Sequence, residues 1–231
     1  MHRRSFLLSL SSLGLSLGPT TAVAAKTAGQ VFNIKWRNLD VGYSSINLTK
    51  NGSQIIVKTD VKINVSFFGI EFFSYSLNSK EIWRNKRLRS LKSEVSMGEK
   101  REFSKVQEVP EGYKVEGSSF SGIVLGNPGT TSYFTPEFLS RSIWISTQNG
   151  KPLKIKSRKI GIEKIISPLG TINATNWEIS GDLNINLFYR DDEWVGSRFK
   201  VGGSVANFIL HKKVGQINEF RKISNNDNQR Y

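Results

Sequence analysis

Along residues 55–67 the odd positions read Ile, Val, Thr, Val, Ile, Val and Phe, while Lys58, Asp60, Lys62, Asn64 and Ser66 stand between them. Alternation with a period of two over such a length predicts a strand with one dry and one wet face. Residues 177–189 repeat the pattern: Trp177, Ile179, Leu183, Ile185, Leu187 and Tyr189 point one way, Glu178, Ser180, Asp182, Asn184 and Asn186 the other. Long alternating strands joined by short turns predict an antiparallel sheet, because parallel strands need crossovers and read as continuous apolar runs. With Arg190 to Trp194 as a loop, Tyr189 faces Val195, Ile185 faces Phe199, Leu183 faces Val201 and Ile179 faces Val205, each pair matched in polarity. The same register sets Gly181 opposite Gly203, which predicts a sharp bend. The expected fold is all-β: an antiparallel, strongly curved sheet forming a barrel or half-barrel of about ten strands.

One stretch interrupts the alternation. Residues 118–136 are rich in Gly, Ser and Thr, and Asn127-Pro128-Gly129 predicts a tight turn. Thr135 as N-cap and Pro136 at the first helical position predict one short helix in the middle of the chain. Asn149-Gly150 carries a type I′ turn signal. No linker separates the two halves, so a single β domain is expected over 25–223, with a flexible polar tail at 224–231.

The N-terminus reads as a targeting segment. His2-Arg3-Arg4 is basic, residues 6–17 are apolar, and Ala22-Val23-Ala24 is a cleavage signal, so residues 1–24 are expected to be a signal peptide cut near Ala24. Arg3-Arg4-Ser5-Phe6-Leu7, with Ser9, Ser11, Ser12, Gly14 and Ser16 diluting the apolar run, fits the twin-arginine pattern; ordinary secretion stays open. The expected location is the periplasm, and no later stretch reaches transmembrane length. The chain has no cysteine and two histidines, His2 and His211, which removes disulfides, Cys–zinc sites and most histidine-based catalysis. The formal charge of +14 falls to +12 once Arg3 and Arg4 are cut away. Outside the cytoplasm such a chain meets anionic lipid, cell-wall polymer or acidic polysaccharide, and nucleic acid is not an expected partner. Plain solubility explains the charge equally well, since it is dispersed along the strands.

A second hairpin holds the candidate site. Pairing residues 75–83 with 89–97 across a loop around Asn85-Lys86-Arg87 sets Tyr75 against Met97, Leu77 against Val95, Ser79 against Ser93, Glu81 against Leu91 and Trp83 against Arg89. Glu81 then shares an apolar face with Tyr75, Leu77 and Trp83, and a carboxylate there must be paired or hydrated. Arg89, diagonally across, is the expected partner. Read functionally, Glu81, Arg89 and Trp83 form the polar end of an internal cavity, and Tyr75 and Trp177 complete the candidate ligand-binding set. A salt bridge at the sheet rim with the aromatic as its lid explains the same residues more economically.

Other features carry less. Asp191-Asp192-Glu193 sits at a hairpin tip, where Asp is ordinary turn chemistry. His211 has no second ligand or catalytic partner, and residues 117–129 lack the ending of a phosphate loop. Phe67, Phe68, Phe72 and Phe73 cluster around Gly69 as core or cavity wall, with an exposed apolar lip as the sharper alternative. No catalytic residue, metal site or cofactor is expected.

Four ordered motifs resemble one family. They are residues 81–88 (Glu-Ile-Trp-Arg-Asn-Lys-Arg-Leu), 131–136 (Thr-Ser-Tyr-Phe-Thr-Pro), 146–151 (Ser-Thr-Gln-Asn-Gly-Lys), and Gly181-Asp182-Leu183 running on to 192–196 (Asp-Glu-Trp-Val-Gly). Together they are similar to the exported bacterial proteins of domain of unknown function 6134. The likeness implies an envelope location and a β fold, and carries no activity or functional residues. Asn85-Lys86 stands where that family usually has Asp-Gly, so a loop longer than two residues is expected there.

The leading functional expectation is therefore a non-catalytic periplasmic binding or carrier module for a lipid or other amphipathic small molecule, with Glu81 and Arg89 at the polar end of a concave face. The alternatives are a carboxylate-dependent hydrolase of cell-wall polysaccharide using Glu81 with Asp191 or Asp192, and a basic scaffold on an anionic envelope surface.

Overall fold

The structure, a computed structural model, describes residues 25–68 and 70–215. The expected signal peptide and polar tail lie outside them. Fifteen strands form one sheet. The first eight are β1 (Lys26–Trp36), β2 (Leu39–Asn51), β3 (Gln54–Phe67), β4 (Ile70–Arg84), β5 (Arg87–Met97), β6 (Lys100–Val109), β7 (Gly112–Gly117) and β8 (Ser121–Val124). After β9 (Gly129–Thr130) and a 3-10 turn at Pro136–Ser140 come β10 (Ile143–Ile145), β11 (Pro152–Ser167), β12 (Gly170–Gly181), β13 (Ile185–Arg190), β14 (Glu193–Val201) and β15 (Ser204–Val214).

The sheet is two meanders joined back to back. Neighbours run from β8 down to β1, then β15 pairs with β1, and the order descends from β15 to β9. All ladders are antiparallel except the short β9–β10 pair. The two outermost strands, β8 and β9, are consecutive in the chain, separated only by residues 125–128. Such a connection reaches at most about 18 Å, whereas a flat sheet of this size would be about 65 Å wide. The sheet must therefore curl until its edges approach, giving an open, barrel-like shell. Its concave face gathers one apolar cluster from both meanders, including Phe32, Ile46, Val57, Leu91, Val115, Ile179, Leu187 and Leu210.

The all-β antiparallel reading is correct, and β3 has the alternation and length expected of it. The sheet has fifteen strands where about ten were expected, and one of the additional strands has a clear local cause. Residues 177–189 are not one strand: the chain reverses after Gly181, so Ile179 pairs with Ile185 and Trp177 with Leu187. Gly181 has φ +106°, and a Cβ there would stand 2.3 Å from the Lys154 carbonyl oxygen. Only glycine fits, and the polar–apolar alternation runs straight through the turn and hides it. Gly181 and Gly203 consequently never pair, nor do Leu183 with Val201 or Ile179 with Val205; Gly203 lies in the β14–β15 turn, and Val205 pairs with Lys200. The curvature expected from the glycine pair comes instead from the connectivity of the edges.

Two further expectations change. The β13–β14 loop is the two-residue turn Asp191-Asp192, with Arg190 opposite Glu193 and a bulge setting Tyr189 against Trp194. Asn85-Lys86 is also a two-residue turn, closed by Arg84 opposite Arg87. Both its central residues are left-handed, at φ 50° and 61°, the type I′ geometry that suits twisted hairpins. A lysine in that conformation is strained, so Lys86→Gly is expected to raise stability by about 0.5–1 kcal/mol, the exposed Lys86–Glu137 ion pair being worth little. A urea midpoint that falls would count against this reading. Around Gly150, a six-residue reversal bonded Ser146 N–H to Lys151 carbonyl at 2.9 Å replaces the expected I′ turn. Near Asn127-Pro128-Gly129 the left-handed residue is Gly126 (φ 83°), and Gly129 already begins β9.

The expected short helix is the 3-10 turn, capped as anticipated: Thr135 Oγ1 accepts from Glu137 N–H and Pro136 opens the turn. Of the aromatic cluster near Gly69, Phe68, Phe72 and Phe73 form the exposed lip, and the Phe67 side chain lies outside the described residues. Phe68 is fully exposed, and Ile70, Phe72 and Phe73 are largely so.

Candidate binding site

The interior of the shell is filled by the chain's own middle segment. From 125 to 151 the backbone crosses the concave face, and Phe138, Trp144 and Ile145 are completely buried there. Trp144 Nε1 donates to the Phe138 carbonyl at 2.9 Å, and its ring meets those of Phe138 and Tyr133. Ile143-Trp144-Ile145 is an apolar run with no alternation, as expected of a strand buried on both faces.

The seat of this plug on the first meander is made of small residues. Thr59, Ser79, Ser93, Ser104 and Gly117 stand directly opposite one another across β3 to β7. The four hydroxyl residues are buried. Residues 147–150 lie along this trough: Ser93 Oγ bonds the Thr147 carbonyl, and Ser119 N–H donates to the Asn149 carbonyl at 3.0 Å. A Cβ on Gly117 would stand 2.4 Å from that same carbonyl oxygen. Small side chains let two backbones touch.

Glu81 lies in the same interface and is fully buried. Its Oε2 accepts from Trp83 Nε1–H at 2.8 Å and from the Thr130 hydroxyl at 2.9 Å. Thr130 is in turn bonded to the Ser132 hydroxyl at 2.9 Å. Oε1 has no hydrogen-bond partner among the described residues. Burial pushes the carboxyl up to about 7, against the opposing pull of Trp83, Ser132 and Thr130.

Arg89 does not reach Glu81. A bulge after Ile82 sets Trp83 opposite Leu88, so Arg89 becomes the extra residue and its side chain turns away. It pairs with Glu108 instead, as does Arg87, the latter at 2.8 Å. These two arginines hold the Glu108 carboxyl below its usual range, with the Arg87 hydrogen bond the larger cause. Register below the bulge is as expected: Tyr75–Met97, Leu77–Val95, Ser79–Ser93 and Glu81–Leu91. Of the candidate ligand-binding residues, the fold brings together only Glu81 and Trp83. Tyr75 shares their face but lies six residues away, about 20 Å along the strand, where burial and the charge of Glu102 raise its phenol well above the usual value. Trp177 packs on the core from the other meander.

Sequence reasoning missed Arg141. Its guanidinium lies over the rings of Trp83 and Phe138, at 5.5 and 5.1 Å. It donates to the carbonyls of Pro128 (2.8 Å) and Lys86 (2.9 Å), and no carboxylate forms an ion pair with it among the described residues. Burial pulls its pKa down. Arg141 lines a cleft of about 580 Å³ with Lys86, Leu125, Pro128, Glu137 and Ile143. From outside inward the order is cleft, Arg141, Trp83, Glu81. An arginine between strands offers no periodic signal, which is why the pattern passed over it.

The sequence profile of a family described as Domain of unknown function (DUF6134) matches residues 32–211. The chain belongs to that family. DUF6134 thus covers the chain from within β1 to within β15, including the plug. No curated protein matches it. Among solved structures it is similar to a β-barrel-like protein of Domain of Unknown Function DUF1849 from Brucella abortus, with TM-score 0.58 and 7% identity over 81% of this chain and 96% of that one. At that identity the likeness is one of fold: a second family builds the same barrel-like sheet.

Proposed function

We propose that this DUF6134 chain is an exported, periplasmic binding module that takes an amphipathic anion in the cleft beside the β4–β5 turn. The observation that carries the reading is Arg141. A guanidinium packed on aromatic rings, bonded to carbonyls and with no carboxylate at ion-pair distance among the described residues, is a cation with capacity for an anionic headgroup, the nearby Glu137 being held by Lys86. Leu125, Pro128 and Ile143 give the apolar wall that a chain or ring would follow, a common division of labour in ligand pockets. The N-terminal segment supports an envelope location, where such ligands are abundant.

The concave face itself is occupied by the plug, so the cradle expected there has moved to the plug's outer side. A hydrolase needs two carboxyl groups facing one cleft. The cleft lining contains one, Glu137, bound to Lys86 at 3.1 Å. Glu81 is sealed beneath Trp83, and Asp191 and Asp192 form a turn. Geometry lends that alternative no support.

Titration with a fluorescent long-chain fatty acid tests the binding reading. Arg141→Gln is expected to weaken binding about tenfold, or about 1.4 kcal/mol, with a smaller loss for Leu125→Ser. Equal affinity for wild type and Arg141→Gln, with both correctly folded, would remove the cleft as the site.

A further inference from the structure

The β11–β12 hairpin is strongly basic, and one of its faces is apolar. From Lys151 to Gly181 it carries Lys151, Lys154, Lys156, Arg158, Lys159 and Lys164 against two acids, Glu163 and Glu178. Both acids are already bound by arginines: Glu163 by Arg198 at 2.6 Å and Glu178 by Arg158 at 2.7 Å. The lysines therefore dominate the field outside this hairpin.

Below the bulge between Lys159 and Gly161 the strand has two distinct faces. Ile165 and Ser167 point inward, where Ser167 Oγ donates to the Leu210 carbonyl of β15 at 2.6 Å. The hairpin end is thus tied across one end of the shell. Ile162, Lys164 and Ile166 alternate with those residues and point outward; Ile162 is 77% and Ile166 81% exposed. Leu169 at the tip and Ile160 at the bulge are exposed too. Isoleucines interleaved with lysines on an outward face, at the end of a protruding hairpin, are the composition of an interfacial segment that rests in the headgroup layer.

We infer that this end of the shell docks on a bilayer containing anionic lipid, with Ile162, Ile166 and Leu169 at the acyl boundary and Lys159 and Lys164, which share the face of Ile162 and Ile166, among the headgroups. The inference does not depend on the cleft, although Lys86, which lines the cleft, sits on a turn at the same end. Two rival occupants fit less well. From residue 156 onward β11 has no second ladder partner among the described residues, so a foreign strand has an edge to pair with. But lysines and a bulge are the devices that blunt such an edge, and two copies would meet cation to cation. The aromatic lip at the β3–β4 tip is the other apolar projection, at the opposite end of the shell. It lacks the charge: residues 66–74 at that tip hold Glu71 as their one charged side chain.

The experiment is sedimentation with vesicles of phosphatidylcholine alone or with about one third phosphatidylglycerol. Variants are compared in the same full chain, so residues 1–24 contribute equally throughout. Wild type is expected to partition at least tenfold more strongly to the anionic vesicles and to be released by salt. Ile162→Ser with Ile166→Ser, and separately Lys159→Glu with Lys164→Glu, should each lower partitioning about tenfold at unchanged melting temperature. All of these positions are exposed, so folding is preserved. Wild-type-like binding by both variants overturns the assignment, as does equal binding to both vesicle types. Loss on Phe68→Ser with Phe72→Ser, with the β11 variants neutral, would move the docking end to the opposite pole. A β11 edge that instead captures an acidic extended peptide and ignores vesicles would establish strand addition in its place.

Discussion

Trp144→Ala is expected to destabilise the protein by about 3–5 kcal/mol, the range for deleting a large buried aromatic. Trp144 is fully buried and fastens β10 to the 3-10 turn through its bond to the Phe138 carbonyl. It also packs so closely on Gly129 that a Cβ there would stand 2.8 Å from its ring. Truncation leaves a cavity in the segment that fills the shell, and the surrounding strands, fixed by their ladders, have little freedom to collapse into it. Urea unfolding measures the loss through the midpoint at constant slope. Gly117→Ala should act on the same interface from the sheet side, because its new methyl meets backbone, which cannot step aside as a side chain can. If both variants unfold at the wild-type midpoint, residues 125–151 do not pack as a plug, and the cleft on their outer side loses its floor.

The second large effect is a pH dependence. The Glu81 carboxyl, raised by burial from 4.5 to about 7, is protonated in the folded protein over a range where the unfolded chain has already released the proton. Across that window the folded state binds more protons, so stability falls as pH rises from about 4.5 to 7 and levels off above it. The contribution amounts to about 3 kcal/mol. Glu102 and Glu108 have lowered pKa values, the former chiefly through Lys100 and the latter through Arg87, and act in the opposite sense as pH falls. The informative quantity is therefore the difference between Glu81→Gln and wild type. Glu81→Gln should gain on wild type between about pH 4.5 and 7 and hold that full advantage above pH 7. Parallel stability curves would mean that Glu81 ionises freely and that its pocket is wet.

Together these predictions separate a structural role for the plug from an electrostatic one. Trp144 acts through volume and should matter equally at every pH, whereas Glu81 acts through its proton. Glu81 reports whether the plug is seated, since two of its neighbours, Thr130 and Ser132, belong to the plug and the third, Trp83, carries the Arg141 guanidinium on its ring.

Alternation alone was enough to set the strand character of β3, β4 and β5, their antiparallel pairing, and the register from Tyr75–Met97 to Glu81–Leu91. Local chemistry likewise placed the Thr135–Pro136 cap. These features depend on neighbours a few residues apart, or on one face being dry, and both are written directly in the order of side chains. The fold over β12 and β13 was illegible because the alternation passes unbroken through the reversal at Gly181. Only the nearby Lys154 carbonyl shows why a glycine must stand there. Arg89 turned from the expected partner of Glu81 into a partner of Glu108 through one bulge, and a single inserted residue leaves no mark on polarity. The joining of the sheet edges, the plug and the Arg141 cleft belong to tertiary structure altogether. They bring together residues 49 and 54 positions apart, such as Glu81 with Thr130 and Ser93 with Thr147, through the curl that residues 125–128 impose, and no local pattern encodes a closure distance.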